Sequence, residues 1–167
     1  VHGMHQRADD GIFSQVLMPC WGSSKASSKN TCLVVLGGSQ YYRQHAQQLG
    51  LKNVFFLDST GDVGRVHKFL NTVDVYTHAR KDGEQCSSSI IEALYHGIPV
   101  IGHVAPSMGH RDQIKDAGFV CSTFGEYADA IDKLYEDPLR KKMSKLAAKQ
   151  YRETFSLGSV VEAYTKI

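Results

Sequence analysis

Two acidic residues, Glu84 and Glu92, flank a serine run in the stretch GEQCSSSIIEALYHGIPVI, Gly83 to Ile101. The run opens an apolar segment with helical spacing, so the first backbone amides of that helix lack an intrahelical acceptor. With the helix dipole, the amides of Cys86, Ser87 and Ser88 form a seat for a phosphate or diphosphate, and the serine hydroxyls add donors. Carboxylates beside such an anion repel it if they face it. They fit the chemistry when each accepts hydrogen bonds from hydroxyls at the two ends of the ligand. If the segment is helical throughout, the two glutamates stand about 12 Å apart, which brackets a diphosphate with a sugar on one side and a ribose on the other. The spacing thus predicts a nucleoside diphosphate-sugar, each carboxylate–hydroxyl bond contributing about 1.5–3 kcal/mol. The plainer alternative takes each residue alone, with Glu84 complementing a helix dipole and Glu92 standing on an exposed helical face.

Other chemistries find less support. No GxGxxG follows a strand and no GxxxxGK[ST] occurs, which argues against a hydride-transferring dinucleotide enzyme and a phosphate-loop NTPase. No Ser-His-Asp or Cys-His order stands out. Cys86 at a helix start has the position of an activated thiol but no base beside it in the sequence. Of the eight histidines, His2 and His5 are the closest pair and lack a carboxylate or cysteine at ligand spacing, so no metal site is expected. His78 and Arg80 fall on the predicted ligand rim, where they would pair with phosphate.

These residues need elements to position them. A chain of 167 residues with 42% hydrophobic and 22% charged residues fits one domain with a proper core. A net charge of +2 argues neither for nucleic acid nor for strong membrane attraction. Four widely spaced cysteines without a CxxC pair read as free, mostly buried thiols in a reducing compartment, and hence as a cytoplasmic protein. Short apolar runs alternate with amphipathic stretches. The strands are expected at 31–38, 53–60, 74–79, 98–104 and 119–122, with the tail of another in the first three residues. Helices are expected at 39–50, 62–73, 84–97, 109–118 and 123–138, then at 138–155 and from 158 onward. Ser39, Thr123 and Gly50 serve as caps or stops. Strands separated by helices mean βαβ units, so the expected fold is α/β, a Rossmann-like three-layer parallel sheet with helices on both faces. Ligands of such sheets sit beyond the carboxyl ends of the strands. That rim holds Gly37-Gly38, the loop 58–62 and the loop 79–88. The stretch PLRKKMSKLAAKQYRETF is amphipathic, with a solvated cationic face that offers a possible peripheral membrane contact.

The ordered set Glu84, Glu92, Ala93-Leu94 and Gly97-Ile98-Pro99-Val100-Ile101 resembles the E-x7-E signature and following G-x-PV of retaining glycosyltransferases of family four. The preceding DVYTHARKDGE and the later RDQIKDAGFV resemble that family's flanking segments, with Asp112 where a glutamate often stands. The resemblance covers essentially all of residues 1–167 and implies the C-terminal half of a GT-B fold, excised from a longer two-domain protein whose N-terminal domain supplies most of the acceptor site. It implies that Glu84, the residue at the catalytic position, orients the donor sugar through its hydroxyls and is not the nucleophile. Amides at Cys86, Ser87 and Ser88 would hold the diphosphate, with Ser87 standing where the family has glycine. Glu92 would bind the ribose, and the loop of Thr60 would meet the base. The family's Gly-Arg pair reads Gly3-Met4, which leaves Arg7 and Arg80 as candidate cations. The implied activity transfers a sugar from a nucleoside diphosphate-sugar of unspecified base to a glycan, lipid or protein acceptor, with no cofactor. A non-catalytic nucleotide-sugar-binding module and a sugar-nucleotide epimerase are the alternatives.

Overall fold

The apolar run Leu33–Gly37 forms a strand that ends where Gly37 and Gly38 take positive φ values of 96° and 80°, a conformation that glycine adopts without a steric cost. The other runs line up beside it. The computed structural model describes residues 1–6 and 14–166. Among these, the strands are β1 (His2–Gln6), β2 (Leu33–Gly37), β3 (Val54–Leu57), β4 (Val75–His78), β5 (Val100–His103) and β6 (Gly118–Cys121). The helices are α1 (Ser14–Ser23), α2 (Gln40–Gln48), α3 (Val63–Leu70), α4 (Ser88–Tyr95), α5 (Gly109–Ile114), α6 (Phe124–Tyr135), α7 (Asp137–Gln150) and α8 (Leu157–Thr165). All strand pairs are parallel, in the order β3-β2-β1-β4-β5-β6. The order reverses between β1 and β4, which opens a crevice at their carboxyl ends.

The alternation of side chains along each strand divides the core in two. Val75 and Ile101 join Met4, Leu33 and Val35 on one face, against Leu17 and Trp21 of α1, Tyr42 of α2 and Tyr127 of α6. Their neighbours Tyr76 and Val100 turn to the other face with Leu36, against Phe69 of α3, Ile90 and Leu94 of α4, Ile114 of α5 and Ala147 of α7. This is the expected three-layer α/β architecture. Gly3, in the middle of β1, is required by the second layer, since a Cβ there would overlap the side chain of Val73.

The caps agree with the expectation at Thr123, while Asp62, expected as the first residue of its helix, stands just before it. Asp62 caps α3 by accepting from the Gly64 and Arg65 amides, and Thr123 caps α6 by accepting from the Glu126 amide at 3.1 Å. The cap at Ser39 is present in backbone only, with no side-chain bond. The helix α1, with Pro19 inside it, has no counterpart in the expected series. The stretch 138–155 is α7 followed by a π-helical turn at Tyr151–Phe155. Among the four free cysteines, Cys20 and Cys121 are buried, but Cys32 is half-buried and Cys86 exposed. One correction bears on the site. The helix after β4 starts at Ser88, not at Glu84, because Ser87 is extended and serves as N-cap. The path from Glu84 to Glu92 is therefore loop and then helix, and the two-turn separation does not apply.

Candidate functional site

The fully buried strand β4 delivers His78 to the carboxyl end of the sheet, and the chain then runs as a loop into α4. Gly83 (φ +75°) forms an isolated parallel bridge to Ser107, at a point where a Cβ would collide with the Ser107 carbonyl. The Glu84 amide donates to the Ser107 carbonyl at 3.2 Å, and the Glu84 carbonyl accepts from the His110 amide at 3.2 Å. The backbone of Glu84 is thus clamped by the segment between β5 and α5.

Its side chain is held at both oxygens. His78 Nε2 lies 3.2 Å from Oε2, and Arg80 Nη1 lies 3.4 Å from Oε1. Burial depresses the His78 pKa below its usual value, so the ring is neutral at pH 7 and a proton on Nε2 faces the carboxylate. Burial would raise the Glu84 pKa. Hydrogen bonding from His78 and Ser87 and the charge of Arg80 outweigh it, so the carboxyl stays below its ordinary range and is ionised. Arg80 also donates from Nε to Asp82 Oδ1 at 2.7 Å.

Glu92 lies one turn into α4 and reaches back across the crevice to the end of β1. Its Oε2 lies 2.6 Å from His5 Nε2, and this bond, against the opposing effect of burial, holds its pKa below the usual carboxylate value. His5 is fixed in turn, since its carbonyl accepts from the hydroxyl of buried Tyr76 at 3.1 Å. Two ionised carboxylates therefore stand at the β1–β4 switch point, one on each side of the start of α4.

The anion seat between them differs from the sequence expectation at one residue. The Ser87 amide donates to Gln113 Oε1 at 2.8 Å, and the Ser87 hydroxyl accepts from the Ile90 amide at 3.4 Å. Ser87 is buried and committed to its own loop, so its amide is not offered outward. The first-turn amides without an intrahelical acceptor are those of Ser88 and Ser89. Cys86 is exposed beside them, its Sγ 3.5 Å from Gln113 Nε2.

The remaining expected residues are more scattered. Thr60 lies on the loop after β3, two strands from β1, and its hydroxyl accepts from the Asp62 amide at 3.1 Å. Arg7 lies outside the described residues. Met4 is fully buried in the core, so that position of β1 presents no group to a ligand. Sequence reasoning missed His5 and Gln113, which act across 87 and 26 residues respectively. His5 had one available signal, its place near the carboxyl end of the first strand. Gln113 had none.

Comparison with known proteins gives the family and the fold. The family profile of glycosyl transferases group 1 matches residues 18–150. The C-terminal domain of a group 1 glycosyl transferase, LpcC of Francisella tularensis, superposes with a TM-score of 0.77 at 17% identity, over 93% of this chain and 86% of that one. S. aureus TarM, solved with fondaparinux, alpha-GlcNAc-glycerol and UDP, gives 0.81 at 20% identity over 99% of this chain and 34% of its own. Anabaena HepE in complex with UDP-glucose gives 0.70 at 18% identity, covering 99% and 48%. The chain thus spans most of the LpcC domain but half or less of TarM and HepE. No curated protein sequence matches it. A profile match over most of the chain, on a parallel sheet whose switch point carries the two carboxylates, places the chain in the family of glycosyl transferases group 1.

Proposed function

We infer that the chain is the donor-binding half of a retaining glycosyltransferase that moves a sugar from a nucleoside diphosphate-sugar to an acceptor. The observation that carries this reading is the pair of ionised carboxylates, Glu84 and Glu92, on either side of the α4 terminus. Glu84, oriented by His78 and Arg80, takes the sugar hydroxyls. Glu92, oriented by His5, takes the ribose hydroxyls. The amides of Ser88 and Ser89, with Cys86 beside them, receive the diphosphate, and the Thr60 loop meets the base. As the sugar–phosphate bond breaks, negative charge grows on the leaving diphosphate. A helix terminus already aimed at it stabilises that charge without reorganisation. Arg80 adds a cation when it exchanges a carboxylate for phosphate, and Arg7 is the second cation of this reading.

The crystallised HepE complex makes UDP-glucose the first donor to try. The acceptor is a glycan, lipid or protein held by an N-terminal domain, so the chain alone binds nucleotide and transfers little sugar. No helix of the described residues is long and apolar enough to cross a membrane. A cytoplasmic location is proposed, with the exposed lysines of α7 facing any membrane surface. One observation favours a non-catalytic binding module as the second reading: the Met4 position, where the family carries arginine, is sealed in the core.

Titration calorimetry with UDP and with UDP-glucose separates the two carboxylates. Glu92→Gln is expected to weaken both ligands about 10- to 100-fold, as expected for one charge-assisted bond of about 1.5–3 kcal/mol. Glu84→Gln is expected to weaken UDP-glucose by a similar factor and to leave UDP unchanged. If the wild type binds UDP and both variants match it on both ligands, the assignment is wrong. Donor hydrolysis by a longer parent protein distinguishes the enzyme from the binding module.

A further inference from the structure

At the switch point β1 and β4 separate. Among the described residues the β1–β2 ladder runs from His2↔Leu33 to Gln6↔Gly37, whereas β1 and β4 pair only at His2↔Val75 and Gly3↔Tyr76. Side chains of β4 take over where its backbone no longer reaches. The buried Thr77 hydroxyl donates to the Gly3 carbonyl at 3.1 Å. The Tyr76 hydroxyl serves both backbone groups of His5, accepting from its N–H at 3.4 Å and donating to its carbonyl at 3.1 Å. Tyr76 is fully buried, and burial pushes its pKa up, so the hydroxyl keeps its proton and remains a donor.

The same hydroxyl reaches α4. The side chain of Ser89 hydrogen-bonds to it, and Ser89 stands three residues before Glu92, on the same helical face. Ser89 Oγ also lies 2.9 Å from the Ser87 hydroxyl. One phenol thus joins the end of β1 to the first turn of α4, the two elements that meet in the 2.6 Å contact of His5 with Glu92. The His5 ring has little else to aim it. It packs edge-to-face against Tyr76 and Phe69, with centroids 5.5 and 6.5 Å away, and its buried Nδ1 has no hydrogen-bond partner among the described residues. The direction of the ring therefore follows the His5 backbone, which Tyr76 holds. We propose that Tyr76 is the positioning residue of the ribose site: its hydroxyl fixes His5 against Glu92 and ties both to the start of α4, so that the carboxylate meets the ribose hydroxyls already oriented. This rests on the assignment of Glu92 to the ribose.

Titration calorimetry of the full chain with UDP and UDP-glucose, beside proton NMR of the imidazoles, tests this. Tyr76→Phe removes only the hydroxyl and is expected to weaken both ligands about 5- to 20-fold, less than Glu92→Gln does. Both ligands carry the ribose, so the ratio of their affinities is expected to hold within about twofold. The double variant is expected to match Glu92→Gln within about twofold, because Tyr76 acts through that carboxylate; a merely structural role would multiply the two losses. The Nε2–H of His5 gives a readout that needs no ligand. It is expected as a slowly exchanging resonance in the wild type and to be lost in Tyr76→Phe. A wild type that binds neither ligand, with that resonance lost in the variant, refutes the donor reading and leaves the positioning of His5 standing. Should Tyr76→Phe not fold, Ser89→Ala decides by the same cycle: a loss of about 2- to 5-fold that vanishes in the Glu92→Gln background supports the link, and losses that multiply overturn it. A folded Tyr76→Phe that binds UDP within about twofold of wild type, keeps the His5 resonance, or loses affinity independently of Glu92 overturns the proposal.

Discussion

Gln113→Leu tests whether the start of α4 is held in place from beneath. Gln113 is 4% exposed, and one amide group satisfies both backbone groups of Ser87, accepting from its N–H at 2.8 Å and donating to its carbonyl at 3.1 Å. Leucine keeps a comparable volume but offers neither bond. The buried Ser87 N–H is then left without its acceptor, a loss of about 1–3 kcal/mol. The Ser87 carbonyl retains the Ile91 amide at 3.2 Å, so its loss is smaller, about 0.5–1 kcal/mol. Together these put the destabilisation near 2–3 kcal/mol, which lowers the melting temperature of a chain this long by about 5–10 °C. Differential scanning calorimetry reads the shift, and guanidinium unfolding with an unchanged m-value confirms that the native state was weakened. A variant within 0.5 kcal/mol of wild type would refute the reasoning, because the Ser87 amide would then have another acceptor.

Two further outcomes follow from the same structure. Burial holds His2 neutral, with its pKa lowered to about 3, whereas it titrates near 6.5 when unfolded. The unfolded chain binds the extra proton, so His2 costs stability as pH falls below about 6.5, reaching about 2 kcal/mol at pH 5. His78, His96 and His103 are shifted in the same direction. Urea unfolding at pH 7 and pH 5 is expected to show this loss, and His2→Phe is expected to reduce it; an identical pH slope in the variant contradicts the assignment. Gly109→Ala forces a methyl into the carbonyl of Gln85, on the loop that carries Glu84. Backbone cannot yield as a side chain does, so a loss of about 1–3 kcal/mol in chemical denaturation is expected. Unchanged stability there would mean that the two loops are not packed as described.

The order of strands and helices was legible in the sequence because period-2 and 3.6-residue patterns are local. Gly37-Gly38 and Thr123 marked their boundaries through backbone conformation and short-range capping. The glutamate pair was legible for the same reason, standing at fixed offsets from a serine run and an apolar helix. The boundary of α4 was not. Whether a chain from Glu84 to Ser87 coils or extends depends on Ser107, His110 and Gln113, which approach it from the neighbouring strand's connection.

By itself the sequence determined the alternating α/β plan, the two carboxylates and the amide-rich helix start between them, since neighbours along the chain encode all three. Only the tertiary structure decided that His5 grips Glu92 and His78 backs Glu84, and that Gln113 takes the Ser87 amide. Those partners meet because β1 and β4 lie side by side while the segment after β5 packs against the loop after β4. Strand order is a property of how whole layers bury their apolar faces, and no spacing within a single segment records it.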